Sequence, residues 1–266
     1  MKNFFEKPTK KLFKLRELDK DTLIYRILPR LFLEISRKYF RLQVEGIEHL
    51  PKTGAAIIAP NHSGYSGFDA IILGNEIFEA IHRVPRIMTH HLWFVSPTTA
   101  IPANKLGFVE ATTANGLKML NKKNMIILFP EGETGNFKPS SQAYRLQEFK
   151  RGFVRMALKT RAPIIPTVVI GAEETHINLK QLKFSKFLTG AVLPLPLNII
   201  PLPVKWKIKF LEPIYLPYKP EAAEDSELVH EITSDIQDLI QKNILIEIQN
   251  RNGIFFSRKT SKNKKA

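Results

Sequence analysis

A chain of 266 residues, 44% of them hydrophobic, can bury a large core, which excludes disorder along its whole length. The absence of cysteine excludes disulfide frames, thiolate nucleophiles and cysteine-bound metals, and it suits a reducing compartment. The formal charge of +15 sits at the ends: residues 1–43 carry twelve Lys/Arg against five Asp/Glu (+7), residues 251–266 carry six against none (+6), and +2 remains between. Basic flanks on a near-neutral body draw a protein to an extended anionic surface, either membrane or nucleic acid.

The first residues, Met1–Lys7, are basic but lack the continuous apolar segment of a signal peptide. In residues 21–42, Leu23, Ile24, Ile27, Leu28, Leu31 and Ile35 recur at helical spacing, with Arg26, Arg30, Arg37 and Arg41 alongside. This pattern predicts an amphipathic helix, either lying in a lipid headgroup layer or packed on the body with solvated arginines. Pro29 marks its first turn or kinks it. The expected organisation is a basic helical segment over 1–43, a catalytic-looking domain over 44–250 and a basic, disordered tail over 251–266.

The short apolar run Ala55–Pro60 predicts a buried strand. It opens onto Asn61-His62-Ser63-Gly64-Tyr65-Ser66-Gly67-Phe68-Asp69, and a helix is predicted from Asp69 to about Ile81. A histidine on a glycine-rich turn thus leaves a sheet edge, where ligands bind in open α/β sheets. Asp69 can fix one imidazole nitrogen and leave the other to accept a proton. Gly64-Tyr65-Ser66-Gly67-Phe68 nearly matches a nucleophile elbow, but Phe68 stands where close packing needs glycine, so a serine hydrolase is rejected.

Arg86–Thr89 predicts a strand leading to His90 and His91, and His91 is a candidate for the cleft wall. His82, His90 and His91 lack a glutamate at ligand spacing, so a metal site is not expected, and no cofactor is assigned. A short strand near Phe108-Val109 and a helix around Leu117–Leu120 precede a second apolar run, Met125–Phe129, which opens onto Pro130-Glu131-Gly132-Glu133. Two buried strands that both end in polar, glycine-bearing turns compose a site. A helix is predicted over 147–158 and strands over 163–171 and 204–214. The apolar segment 182–203 is broken by four prolines and is too interrupted to span a membrane; it predicts a loop that dips into the interface or covers the core. A closing helix over 227–248 turns Leu228, Ile232, Ile236, Leu239 and Ile240 inward. Strands alternating with helices predict an α/β sandwich with a mostly parallel central sheet.

Asn61-His62 with Asp69, Phe129-Pro130-Glu131-Gly132 and Pro163-Ile164-Ile165-Pro166 occur in the order found in the glycerolipid acyltransferases, the lysophosphatidic acid acyltransferase-like family. Val168–Glu173 and Leu202–Trp206 also resemble it, so the likeness covers roughly residues 44–220. The resemblance implies a glycerolipid-acyltransferase-like fold with His62 as general base and Asp69 as its orienting partner. Asn61, Ser63, Gly64, Glu131 and Gly132 would line the acceptor site, Glu131 and Gly132 holding its glycerol-like head. Two features depart from the family pattern. Six residues rather than four separate His62 from Asp69, and the usual arginines are missing from Gly107–Thr113 and from the position after Gly132. Lys138, Arg145, Lys150 and Arg151 are substitutes of the right charge for a phosphate.

The resemblance further implies an acyl thioester donor, on coenzyme A or acyl carrier protein. The acceptor would be a lipid hydroxyl, foremost a lysophospholipid such as lysophosphatidic acid, with diacylglycerol or a long-chain alcohol as the alternative. The enzyme would work peripherally on the cytoplasmic face of a membrane. The rivals are a basic lipid-binding module, a thioesterase and a nucleic-acid-binding protein. The last explains the charge but lacks an aromatic-basic platform.

Overall fold

The computed structural model describes residues 27–62, 67–182 and 193–255. Its main sheet has seven strands in the order β1-β9-β6-β2-β5-β3-β4. These are β1 (Gln43–Glu45), β2 (Ala56–Pro60), β3 (Arg86–Thr89), β4 (Phe108–Glu110), β5 (Met125–Ile127), β6 (Ile164–Ile170) and β9 (Lys207–Phe210). β7 (Asn178–Leu182) and β8 (Leu193–Pro196) form a separate antiparallel pair. From β6 to β4 every neighbour is parallel; β9 joins β6 antiparallel and carries β1 with it. β2 and β6 are buried at every position, as near-continuous apolar runs require when both faces of a parallel sheet are covered.

The helices are α1 (Leu28–Tyr39), α2 (Phe68–Ile81), α3 (Pro97–Lys105), α4 (Thr113–Asn121), α5 (Glu133–Asn136), α6 (Gly152–Thr160), α7 (Ala172–Thr175) and α8 (Ser226–Asn250). Strand residues alternate between two cores because successive side chains point to opposite faces. Ile57 and Ala59 join Phe153 of α6 and Ile236 and Ile240 of α8. Ala56 and Ile58 join Leu73 and Ile77 of α2, together with Phe40 and Trp206. The result is an α/β sandwich with helices on both faces of the sheet. All five central strands deliver their carboxyl ends to one edge, where the turns after β2, β3 and β5 meet.

Several boundaries differ from the sequence reading. The helix expected from residue 147 begins at Gly152, because the preceding backbone N–H groups are engaged elsewhere: Gln147 donates to Glu131, Phe149 to Gln237 and Lys150 to the Pro130 carbonyl. Only Lys207–Phe210 of the 204–214 segment is strand. In α8 Leu239 faces outward, while Val229 and Ile244 are buried with Ile232, Ile236 and Ile240. Asp225 caps this helix by accepting from the N–H groups of Glu227 and Leu228.

Pro29 occupies the first turn of α1, which needs no N–H there. Residues 1–26, with Leu23, Ile24 and Arg26, lie outside the described residues, as do the tail from 256 onward and residues 183–192 of the apolar segment. Leu28, Leu31, Phe32 and Ile35 of α1 are exposed. Arg37 reaches the buried Glu76 at 3.5 Å, and the Arg41 guanidinium donates to the Pro203 carbonyl. No helix among the described residues is long and apolar enough to cross a membrane.

Candidate active site

β2 ends in Asn61, whose buried amide clamps the neighbouring strand. Its Nδ2 donates to the Val169 carbonyl at 3.0 Å, and its Oδ1 accepts from the Val169 N–H at 2.7 Å. The chain leaves the sheet at His62 and is described again from Gly67, whose φ of +69° suits a residue without a Cβ. α2 starts at once, and its first turn presents Asp69, an acidic side chain at the positive end of the helix. Asp69 Oδ1 accepts from the Ala70 N–H at 2.8 Å, and its Oδ2 accepts from His62 Nδ1 at 2.7 Å. The imidazole also stacks on Phe129, with ring centroids 3.9 Å apart. Asp69 is fully buried while His62 keeps an edge in solvent. With Nδ1 committed to a carboxylate, Nε2 is the nitrogen that can exchange a proton.

A second carboxylate stands behind the histidine. Glu131 is fully buried; its Oε1 accepts from the His62 backbone N–H at 2.9 Å, and its Oε2 accepts from the Gln147 N–H at 2.8 Å. Lys138 Nζ lies 3.6 Å from Glu131 Oε2 and 3.0 Å from Glu173 Oε1, and it donates to the Arg145 carbonyl at 3.1 Å. Glu173 also accepts from the Tyr144 N–H at 2.7 Å. Burial pushes the Glu173 carboxyl up to about 7, against the opposing pull of Lys138 and this N–H. Gly132, at φ +60° and ψ −147°, turns the chain into α5; a Cβ there would stand 2.8 Å from Lys150 Nζ. This is a conformation reserved for glycine.

His62 lies on the wall of a cleft of about 610 Å³. Its apolar lining includes Ile71, Met88, Trp93, Phe108, Phe129 and Phe137, and its polar lining includes Thr89, His90, His91, Glu110, Glu133 and Lys150. A deep, mainly apolar cleft with a few convergent polar groups suits a ligand with a hydrocarbon part and a polar end.

A family model described as Acyltransferase matches residues 41–170. An uncharacterized protein of Mycobacterium tuberculosis is 34% identical over 249 residues, which span 89% of this chain and 69% of the relative. A 1-acyl-sn-glycerol-3-phosphate acyltransferase of Cocos nucifera is 46% identical over 57 residues, 21% of this chain and 16% of that protein. The crystal structure of the 1-acyl-sn-glycerophosphate (LPA) acyltransferase PlsC from Thermotoga maritima superposes with a TM-score of 0.56 at 16% identity, over 94% of this chain and 90% of that one. This chain belongs to the glycerolipid acyltransferase family.

The enzyme is an O-acyltransferase, and its fold is the one the motif order implied. Among the expected site residues, His62 and Gly132 line the cleft. Ser63 and Gly64 lie outside the described residues, as does Ser66. Asn61 and Glu131, expected to touch the acceptor, are both fully buried, and their polar atoms are engaged by backbone groups. Lys138 is likewise locked behind the wall between two carboxylates. Arg145 is exposed, Arg151 half-buried at the start of α6, and neither lines the cleft. The enlarged turn between His62 and Asp69 still closes the pair at 2.7 Å.

Thr89, Glu110 and Glu133 were missed as lining residues of this acyltransferase, and of the adjacent histidines only His91 was anticipated, although His90 shares the wall. A usable signal existed for Thr89 and Glu110, since each is the last residue of a parallel strand and such ends meet at the ligand edge.

Proposed function

We propose that this enzyme moves a fatty acyl group from a thioester, carried by coenzyme A or an acyl carrier protein, to a hydroxyl of a glycerolipid acceptor at a membrane surface. The observation that carries the reading is the 2.7 Å contact between His62 Nδ1 and Asp69 Oδ2 on the cleft wall. His62 Nε2 takes the acceptor hydroxyl proton as the oxygen attacks the thioester carbonyl carbon, and Asp69 stabilises the imidazolium. Collapse of the tetrahedral intermediate breaks the carbon–sulfur bond, and the leaving thiolate receives that proton. Base assistance contributes about 10²–10⁴-fold, so positioning in the cleft supplies much of the remainder.

Two surface features support work at a membrane. Leu28, Leu31, Phe32 and Ile35 of α1 are exposed, and Phe32 stacks on Phe68 beside Asp69 with centroids 5.7 Å apart. The Tyr39 hydroxyl donates to the Pro201 carbonyl at 2.6 Å, which brings the α1 end against a segment where Leu197, Ile199 and Ile200 are 66%, 82% and 79% exposed. Contiguous aliphatic exposure of this kind marks an interaction surface, and Arg30, Lys38 and the basic flanks suit anionic headgroups. The lack of cysteine fits the cytoplasmic side.

The names of the Cocos nucifera and Thermotoga maritima relatives support a lysophosphatidate-type acceptor. The charge of the cleft favours a second reading, an acceptor without a phosphate, because Glu110 and Glu133 line it beside a single lysine among the described residues. The test is incubation of the purified protein with a labelled acyl thioester and a panel of lysophospholipids, mono- and diacylglycerols and long-chain alcohols. Labelled ester product is the expected result. Labelled free fatty acid with no ester in any incubation would overturn transfer in favour of hydrolysis.

A further inference from the structure

Resting on the proposed transfer to a lipid hydroxyl, we propose that His90, Glu133 and Thr89 form the subsite for the acceptor's head, and that it selects an uncharged hydroxylated head over a phosphate monoester. Thr89 ends β3 and His90 follows it, while Glu133 opens α5; all three line the cleft that contains His62. Glu133 is therefore two residues from Glu131, which holds the His62 backbone, so the subsite and the base are tied to one turn.

Two polar atoms of these residues lack partners. Glu133 Oε2 and Thr89 Oγ1 are buried and make no hydrogen bond. A buried carboxylate oxygen in that condition calls for a donor, which a ligand can supply. His90 Nδ1 accepts from the Leu92 N–H at 3.3 Å, so in the neutral ring the proton resides on Nε2. That Nε2 stands 3.9 Å from Glu133 Oε2, too far for a direct hydrogen bond. A hydroxyl oxygen placed beside this gap can accept from Nε2–H and donate to Oε2 at ordinary hydrogen-bond distances. A phosphate dianion has no proton to give Oε2 and brings its charge against the carboxylate.

Cations do not reverse that preference. Lys150 is the one Lys or Arg on the cleft wall among the described residues, and two carboxylates, Glu110 and Glu133, line the same cleft. Lys138 is held by Glu173 and Glu131, and Arg145 and Arg151 are off the wall. Burial, with His91 beside it, also holds the His90 imidazole below its ordinary range, so at neutral pH it donates a hydrogen bond without supplying a charge.

The test is a matched pair of short-chain acceptors, a monoacylglycerol and its 3-phosphate, each assayed for acyl transfer and, without thioester, for equilibrium binding to the full chain. Wild type is expected to favour the uncharged acceptor in both readouts. Glu133→Ala should raise KM for that acceptor by about 10- to 100-fold with kcat little changed, the loss of one hydrogen bond to a charged group. Glu133→Gln, which retains an acceptor oxygen without the charge, should keep most of the uncharged activity and improve use of the phosphate. Tighter binding of the phosphate by wild type, or an acceptor ratio unchanged in Glu133→Ala, would overturn the subsite. Failure of transfer to every acceptor with the binding preference intact would instead overturn the catalytic reading and leave the subsite standing.

Discussion

The backbone N–H of His62 donates to Oε1 of Glu131 at 2.9 Å across a separation of 69 residues. The turn after β2 is thereby pinned to the turn after β5, and the imidazole is held from two sides, by Asp69 at its ring and by Glu131 at its backbone. Glu131 is a positioning residue here. It fixes where the base stands and does not line the cleft.

Glu131→Ala should be costly in stability as well as rate. It leaves the N–H groups of His62 and Gln147 without acceptors and removes one of the two carboxylates beside buried Lys138. Breaking a buried ion pair costs about 3–5 kcal/mol, which for a chain of this size lowers Tm by roughly 10 °C. Thermal unfolding checks this; a Tm within a degree or two of wild type would show that Glu131 is not the tie described.

Glu173 predicts a pH signature. Its carboxyl rises from the ordinary 4.5 to about 7, so the folded chain binds its proton more tightly than the unfolded chain. Its contribution to stability is therefore full below pH 4.5 and is lost as pH rises through 7, by up to about 3 kcal/mol. Glu173→Gln lacks this group, so the stability difference, wild type minus variant, should fall across that window. Chemical denaturation at pH 5 and pH 8 measures it, and a difference that is flat or rises with pH contradicts the burial argument.

Much of this arrangement was legible in the chain. The apolar runs before Asn61 and before Pro130 announced β2 and β5, and parallel topology carried both turns to one edge. The His62–Asp69 pair could be proposed because both residues lie within one turn and the next helix. Depth was not legible. Asn61, Glu131 and Lys138 look like ligand-binding groups in a polar motif, yet they are buried because backbone donors and acceptors from β6 and from the segments around 145 and 147 converge on them. Partners distant in sequence decide whether a polar side chain faces a substrate or the scaffold. The exposed stripe of α1 illustrates the same limit, since its helical period is local but its exposure depends on what covers it.

The membrane reading yields a surface prediction. Replacing Ile199 and Ile200 together by aspartate places two charges where two nearly fully exposed aliphatic side chains stand. Each aliphatic chain buried in lipid contributes about 1.5–3 kcal/mol, so partitioning onto anionic vesicles should fall by at least 10-fold. The fold should be untouched, as neither residue belongs to the core. Vesicle sedimentation of the folded double variant decides the matter, and unchanged binding would remove this segment from the docking face.

The central claim is that one imidazole, held by Asp69, activates the acceptor hydroxyl. Its most direct test is the rate of labelled acyl transfer by purified His62→Ala, measured beside its melting curve. The account predicts a loss of about 10²–10⁴-fold or more in a variant that still unfolds cooperatively, with Tm lowered because the buried Asp69 loses its imidazole partner and Phe129 its stacking contact. Turnover within a few-fold of wild type by the folded variant would contradict it.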